Sequence, residues 1–234
     1  MSETSDVKWV VSIEKWATWH LDSQTSVQPD ISFVDASMRR KLSLLTKMSL
    51  KVAHECAGHI NNVRTVYASR HGDLIRTTKM MQHMAIDEML SPTAFSLSVL
   101  NASMGVYSII QKDVMPAIAI SASESSFGLG LLEAYLQLAS NPHAPVLFVY
   151  ADDAPPVLYN MNEENSFMPH AIGLLLTSEA SLKVECVVSD VEVSAGMDGS
   201  TNALQSLTFL ECLNHHKTAS WCVNNKRWDW QYVN

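Results

Sequence analysis

Eight residues in the middle of the chain, SASESSFG from Ser121 to Gly128, combine groups that could carry acyl or proton-transfer chemistry. An apolar run, PAIAI, leads in and a helix-like pattern, LGLLEAYLQL, leads out, so the spacing predicts a sharp turn from strand to helix at Glu124. At such an elbow the side chain stands clear of the sheet, and the backbone N–H groups that open the helix face whatever binds there. Here the turn holds a carboxylate between Ser123 and Ser125. Two chemistries fit these groups: Glu124 as a base or Ser125 as a nucleophile, in a decarboxylase or hydrolase.

Other reactive side chains are less well placed. HECAGH puts His54 and His59 five residues apart, roughly 140° around a helix, so one ion could not take both and no metal site is expected. His59 continues the apolar face of Val52 and Cys56, and His54 the polar face of Lys47 and Lys51. The adjacent His215 and His216 diverge and read as a solvated end. SRHGDL, Ser69 to Leu74, ends a strand and opens a helix, with Gly72 suited to a left-handed turn. A phosphate could bind at such a turn, but neither a Walker nor a GxGxxG pattern accompanies it, which favours an ordinary connection.

The elements that must position these groups alternate. VKWVVSI, VRTVYAS, PAIAISA, PVLFVYA, IGLLLTS and VECVVSDVEV read as strands. Helical spacing runs through Leu42, Leu45, Met48, Val52 and Cys56, from Phe127 to Leu138, and over Thr77 to Leu90. The result is an α/β protein whose unalternating runs PVLFVYA and IGLLLTS suit central strands covered on both faces. NPHAP and DDAPP are stops. YNMNEENSF and GMDGSTN are polar loops, followed by a short helix near Leu204 to Leu213 and an aromatic tail, WCVNNKRWDWQYV. No linker divides the chain, so residues 1–234 form a single domain.

Composition excludes several roles. The chain has 234 residues, 47% of them hydrophobic, and a formal net charge of −8, which disfavours nucleic acid or an anionic membrane as partner. Cys56, Cys186, Cys212 and Cys222 show no CxxC spacing and MSETSDVKW no signal pattern, which fits a reducing cytoplasm. No run approaches the roughly 20 apolar residues of a membrane span. No cofactor motif is present.

From Leu90 to Asp153 the segments LSPTAFSLSVLNASMGVYSI, PAIAISASESSFGLGLLEA and PVLFVYADD together resemble the N-terminal half of a β-ketoacyl synthase of the layered, thiolase-like fold. More narrowly, SRHG before a helix, SPTAFSLSV and the E-S-S-F turn resemble the short chain length factors of aryl polyene and related type II fatty acid or polyketide pathways. The resemblance runs from about Met38 to about Ser178.

It implies several expectations. Glu124 occupies the position of the ketosynthase cysteine, so no catalytic residue is expected: acylating a carboxylate makes a high-energy anhydride, and a carboxylate lacks the nucleophilicity of a thiolate. The C-terminal half with its two catalytic histidines is missing or severely shortened, and PHAIG stands where active enzymes have GEGAG. Where many of the short relatives have His before Asn101, this chain has Leu100. The helix dipole and its free N–H groups would hold Glu124 as a structural anion. A catalytic ketosynthase would pair with the chain as a heterodimer through the strand Pro116, Ala117, Ile118, Ala119 and Ile120, bringing acyl carrier protein to the complex. Met80, Met81, Met84, Phe95, Ser123, Glu124, Ser125 and Phe127 would line the acyl tunnel or interface, with Met89 beside them, although the methionines equally fit a buried helix face. The alternatives to a chain length factor are the decarboxylase or hydrolase above and a purely structural stabiliser of the ketosynthase.

Overall fold

A computed structural model describes residues 6–20, 28–86, 89–159, 168–191 and 204–233. Of the loops expected at 159–167 and 196–202, all but Tyr159, which ends the short 3-10 helix Val157–Tyr159, lie outside these residues. Among them, eight strands form one mixed sheet: β1 (Val7–His20), β2 (Arg64–Ala68), β3 (Ala117–Ile120), β4 (Val146–Asp152), β5 (His170–Leu176), β6 (Leu182–Asp190), β7 (Ala219–Val223) and β8 (Lys226–Val233). Their order is β3-β2-β4-β5-β1-β6-β8-β7. β2 lies parallel to β3 and β4, and every other pairing is antiparallel.

Among the described residues seven α-helices accompany the sheet: α1 (Ala36–Arg39), α2 (Leu44–Ala57), α3 (Leu74–Ala85), α4 (Pro92–Ser96), α5 (Ala102–Gln111), α6 (Ser126–Ser140) and α7 (Gln205–His215). One core lies between the sheet and α6 and α7, built on Trp9, Val66, Phe127, Phe148, Leu174, Phe209 and Trp230. The other lies under α2 and α5, built on Met48, Val52, Tyr67, Tyr107, Val149 and Leu175. Every residue of β4 and β5 is buried, which is why those two runs show no polar alternation. Burying an aliphatic side chain on either face contributes about 1.5–3 kcal/mol.

β1 is longer than its apolar start suggests. A bulge between Ile13 and Lys15 changes which face each residue meets: Trp9, Val11 and Ile13 enter the α6/α7 core, whereas Trp19 enters the α2/α5 core. The aromatic tail is a hairpin, β7 and β8, turned by Asn224 and Asn225, whose φ of 48° and 61° are those of a tight two-residue turn. Trp228 and Trp230 alternate inward from it.

The helix expected over Thr77 to Leu90 runs instead from Leu74 to Ala85, and the SPTAF segment after it forms the short helix α4. The Asp73 carboxylate caps α3 by accepting from the Arg76 N–H at 3.2 Å. Ser91 caps α4, with Pro92 in its first turn. α2 ends at Ala57, so His59 lies beyond the helix and is exposed, while His54 stacks on Phe33 at 3.8 Å; the expected division of these two histidines between faces is corrected accordingly. Among the described residues no helix is long and apolar enough to cross a membrane, and no cluster of His, Cys, Asp or Glu could hold a metal ion.

Candidate functional site

The carboxyl ends of the parallel strands β2, β3 and β4 meet at one end of the sheet, the end at which open α/β sheets bind ligands. β3 runs into the elbow there, and α6 runs out. Ser123 adopts φ +51°, the left-handed conformation a sharp reversal needs. Ser126 holds the reversal: its hydroxyl donates to the Ser123 carbonyl at 2.6 Å and accepts from the Ala122 N–H at 2.8 Å. Such local side-chain bonds substitute for the pairing that a turning backbone loses.

Glu124 is only half-buried, and its carboxylate is occupied. Oε1 accepts from Arg70 Nη2 at 2.7 Å, and Oε2 accepts from the Ser123 hydroxyl. The Ser123 bond first, then the residue's own N–H, Arg70 and His71, hold the carboxyl below the ordinary glutamate value against an opposing desolvation. The expected anchor, the α6 N-terminus, is therefore not the principal one. Ser125 lies at the α6 cap position with no side-chain capping bond, and no basic side chain hydrogen-bonds it among the described residues.

Arg70 is aimed by Asp152, which is fully buried at the end of β4. Asp152 Oδ1 accepts from the Ser69 hydroxyl at 2.7 Å, the Arg70 N–H at 2.9 Å and the His71 N–H at 3.0 Å. Oδ2 accepts from the Tyr150 hydroxyl at 2.6 Å. Gly72, at φ +59°, donates its N–H to Ser69 Oγ at 2.9 Å and completes the turn. This is the connection expected of SRHGDL, with a buried carboxylate where an anionic ligand could have sat.

His170 faces Asp152 across the β4–β5 register. Its Nδ1 lies 3.0 Å from the Met168 carbonyl and so carries the proton, which leaves Nε2 to accept from Ser206 Oγ at 2.7 Å. Burial holds the imidazole below its ordinary pKa, and both partners are enclosed, so the pair buttresses α7. Arg70, Asp152 and His170 were not singled out by sequence: each lies in a quoted segment, but their convergence depends on strand order.

The expected tunnel and interface residues separate into three groups. Phe127 is fully buried against Phe148, Tyr150 and Phe209; it faces inward from the first turn of α6 and is a core residue. Met81, Met84 and Phe95 are 58%, 59% and 59% exposed, so they do not fill this chain's core. Met80 instead turns toward a cavity of about 600 Å³ between α2, α3 and α4, whose edge includes Met89 and Leu90. β3 is an edge strand with Ala117 and Ile118 exposed, and the exposed Val114 lines one surface hollow with them.

Among curated proteins, none matches the sequence at a significant level. Solved structures do. A ketosynthase (ApeO) in complex with its chain length factor (ApeC) from Xenorhabdus doucetiae is similar at 24% identity and a TM-score of 0.80, over 95% of this chain and 99% of that one. The ishigamide ketosynthase/chain length factor is similar at 13% identity and a TM-score of 0.57, over 88% of this chain and 72% of that one. A type II polyketide acyl-carrier protein in complex with its ketosynthase (AntDE:AntF) is similar at 14% identity and a TM-score of 0.50, over 73% and 63%. These likenesses establish a mixed α/β, thiolase-like ketosynthase fold. The family described as the β-ketoacyl synthase N-terminal domain matches residues 14–231, well past both ends of the segment from Met38 to Ser178, and the chain belongs to that family.

Proposed function

We propose that the chain is a non-catalytic chain length factor, which pairs with a catalytic β-ketoacyl-carrier-protein synthase and shapes the acyl tunnel in aryl polyene or related fatty acid or polyketide synthesis. The observation that carries this reading is the elbow. The position of a nucleophile holds Glu124, and its carboxylate is engaged by Arg70 and Ser123. A carboxylate held below its ordinary pKa is also a weaker base, which counts against a decarboxylase or hydrolase built on Glu124. Among the described residues no basic side chain hydrogen-bonds Ser125, as a serine nucleophile requires.

Pairing is supported by the edge. Among the described residues β3 has no neighbour on its outer side, where Ile118 and Val114 are exposed. An apolar edge of this kind is stabilised by strand addition. The partner supplies the cysteine and the histidines, the carrier protein reaches the complex through it, and this chain supplies a wall of the tunnel. Met81, Met84 and Phe95 are the side chains available for that wall.

Co-expression with the ketosynthase of the same pathway, followed by sedimentation, tests the reading. A heterodimer that Ile118→Lys disrupts is the expected result. A soluble, stable monomer that ignores the ketosynthase overturns it.

A further inference from the structure

We propose that the second half of β1 is a docking edge for another copy of this chain, which adds its own β1 antiparallel and makes one sheet continuous across a two-fold axis. The inference goes beyond the pairing at β3, which lies elsewhere in the sheet, with β2, β4 and β5 between the two strands.

β1 sits between β5 and β6, but the two neighbours cover different lengths of it. β6 pairs with Val7 to Ile13, and its ladder starts at Leu182 opposite Ile13. β5 pairs, on the other side, with Ile13 and with Lys15 to His20. Among the described residues, no strand therefore lies beside residues 15–20 on the β6 side. The faces of this stretch are covered, since Trp16 packs against the α6/α7 core and Ala17 and Trp19 against α2 and α5. Its edge is open. Lys15, Trp16, Ala17 and Thr18 line one hollow of about 730 Å³ together with His54 and Glu55 near the end of α2. Successive strand residues point to opposite faces, so a hollow that meets all four runs along the edge. A strand added there continues the line of β6 and takes up the main-chain hydrogen bonds that an open edge offers.

The sequence of this edge fits its own copy. A two-fold axis perpendicular to the sheet keeps each side chain on its own face, and antiparallel pairing about it brings together residues equally far from the centre. With Ala17 at the centre, the smallest side chain of the stretch meets itself. Trp16 then lies opposite Thr18 of the second copy, an aromatic against a β-branched side chain, and Lys15 opposite Trp19, a cation at an indole. At each end of the ladder the Glu14 carboxylate lies opposite the His20 imidazole, an acceptor facing a donor. Like charges never face each other in this register. Centring on Lys15 sets that ammonium against its copy, and centring on Trp16 or Thr18 separates Glu14 from His20. Glu14, Lys15 and His20 are all exposed, and among the described residues Glu14 keeps only a long bond from Thr177 Oγ1, at 3.4 Å.

Sedimentation of the chain carrying Ile118→Lys, which blocks the β3 edge, tests the inference without any ketosynthase. A dimer that grows with concentration is expected. Glu14→Lys, at an exposed position, sets a lysine against each histidine and is expected to weaken the dimer about tenfold, the scale of two altered cross-strand pairs. Adding His20→Glu swaps the pair and restores the dimer. A monomer at every concentration, a dimer indifferent to Glu14→Lys, or a double variant that fails to recover overturns the inference. So does a monomer in which the amides of residues 15–20 gain protection from hydrogen exchange only when a ketosynthase is added, because the edge then belongs to that partner. Failure of the chain to pair with a ketosynthase leaves the measurement on the Ile118→Lys chain intact, so the two readings fail separately.

Discussion

The guanidinium of Arg70 meets the carboxylate of Glu124 at 2.7 Å, joining the end of β2 to the elbow after β3 across 54 residues of sequence. Both side chains are about a third exposed, so the pair contributes on the order of 0–1 kcal/mol to stability. Its larger effect is on chemistry, because the group at the nucleophile position is already paired.

Glu124→Ala is therefore expected to leave condensation by the heterodimer largely intact, while replacing the partner's cysteine abolishes it. Product formation by the reconstituted complex measures both. Loss of an activity shown by the isolated chain, on Glu124→Ala or Ser125→Ala, would instead identify an enzyme.

The same pair sets a pH dependence. Glu124 has a folded pKa below its ordinary value of 4.5, so its contribution to stability is complete above 4.5 and disappears as pH falls through the folded value. The difference in Tm between the native chain and Glu124→Gln is expected to be constant near neutrality and to shrink below pH 4.5. A difference that grows with acidity would contradict the lowered value.

Asp152 carries more of the stability than Glu124. Removing its carboxylate strands the Tyr150 and Ser69 hydroxyls and two backbone N–H groups in a buried site. Asp152→Ala is expected to cost about 3 kcal/mol by urea denaturation, and Asp152→Asn, which keeps one acceptor, less. The Arg70 turn should loosen with it, seen as faster amide exchange at Arg70 and His71.

Shortening Met84 or Phe95 to Ala is expected to lengthen the product of the complex, and Met84→Trp to shorten it. Because both residues are exposed in the chain alone, these changes should leave its own unfolding free energy within about 0.5 kcal/mol of native. A large drop in Tm with equal loss of all products would return them to the core.

The central sheet was legible because β4 and β5 are apolar on both faces and short, a pattern that only a doubly covered strand needs. The elbow was legible for a similar reason: a strand-like run and a helix-like run abut with four serines and a carboxylate between them. Three features were not. The β7–β8 hairpin was hidden because Asn224 and Asn225 form its whole turn within a stretch whose tryptophans suggest only an aromatic tail. The contacts of Glu124 with Arg70, and of Asp152 with the turn that aims it, follow from β2 lying between β3 and β4, which local pattern does not encode. The methionine pattern of α3 fits a buried face by period alone, and only the packing of its neighbours leaves Met81 and Met84 outside.

β1 has a consequence for how the chain is made. β1 precedes every other described strand and sits in the interior of the sheet, with Val7 opposite Val188 and His20 opposite His170. Trp9, Val11 and Ile13 thus leave the ribosome long before either neighbouring strand exists to cover them. Folding cannot proceed from the amino terminus outward, and loop-closure entropy must be met before β1 contributes anything. Until β5 and β6 are made the growing chain must carry an uncovered aromatic strand, an interval in which holding chaperones compete with aggregation for it.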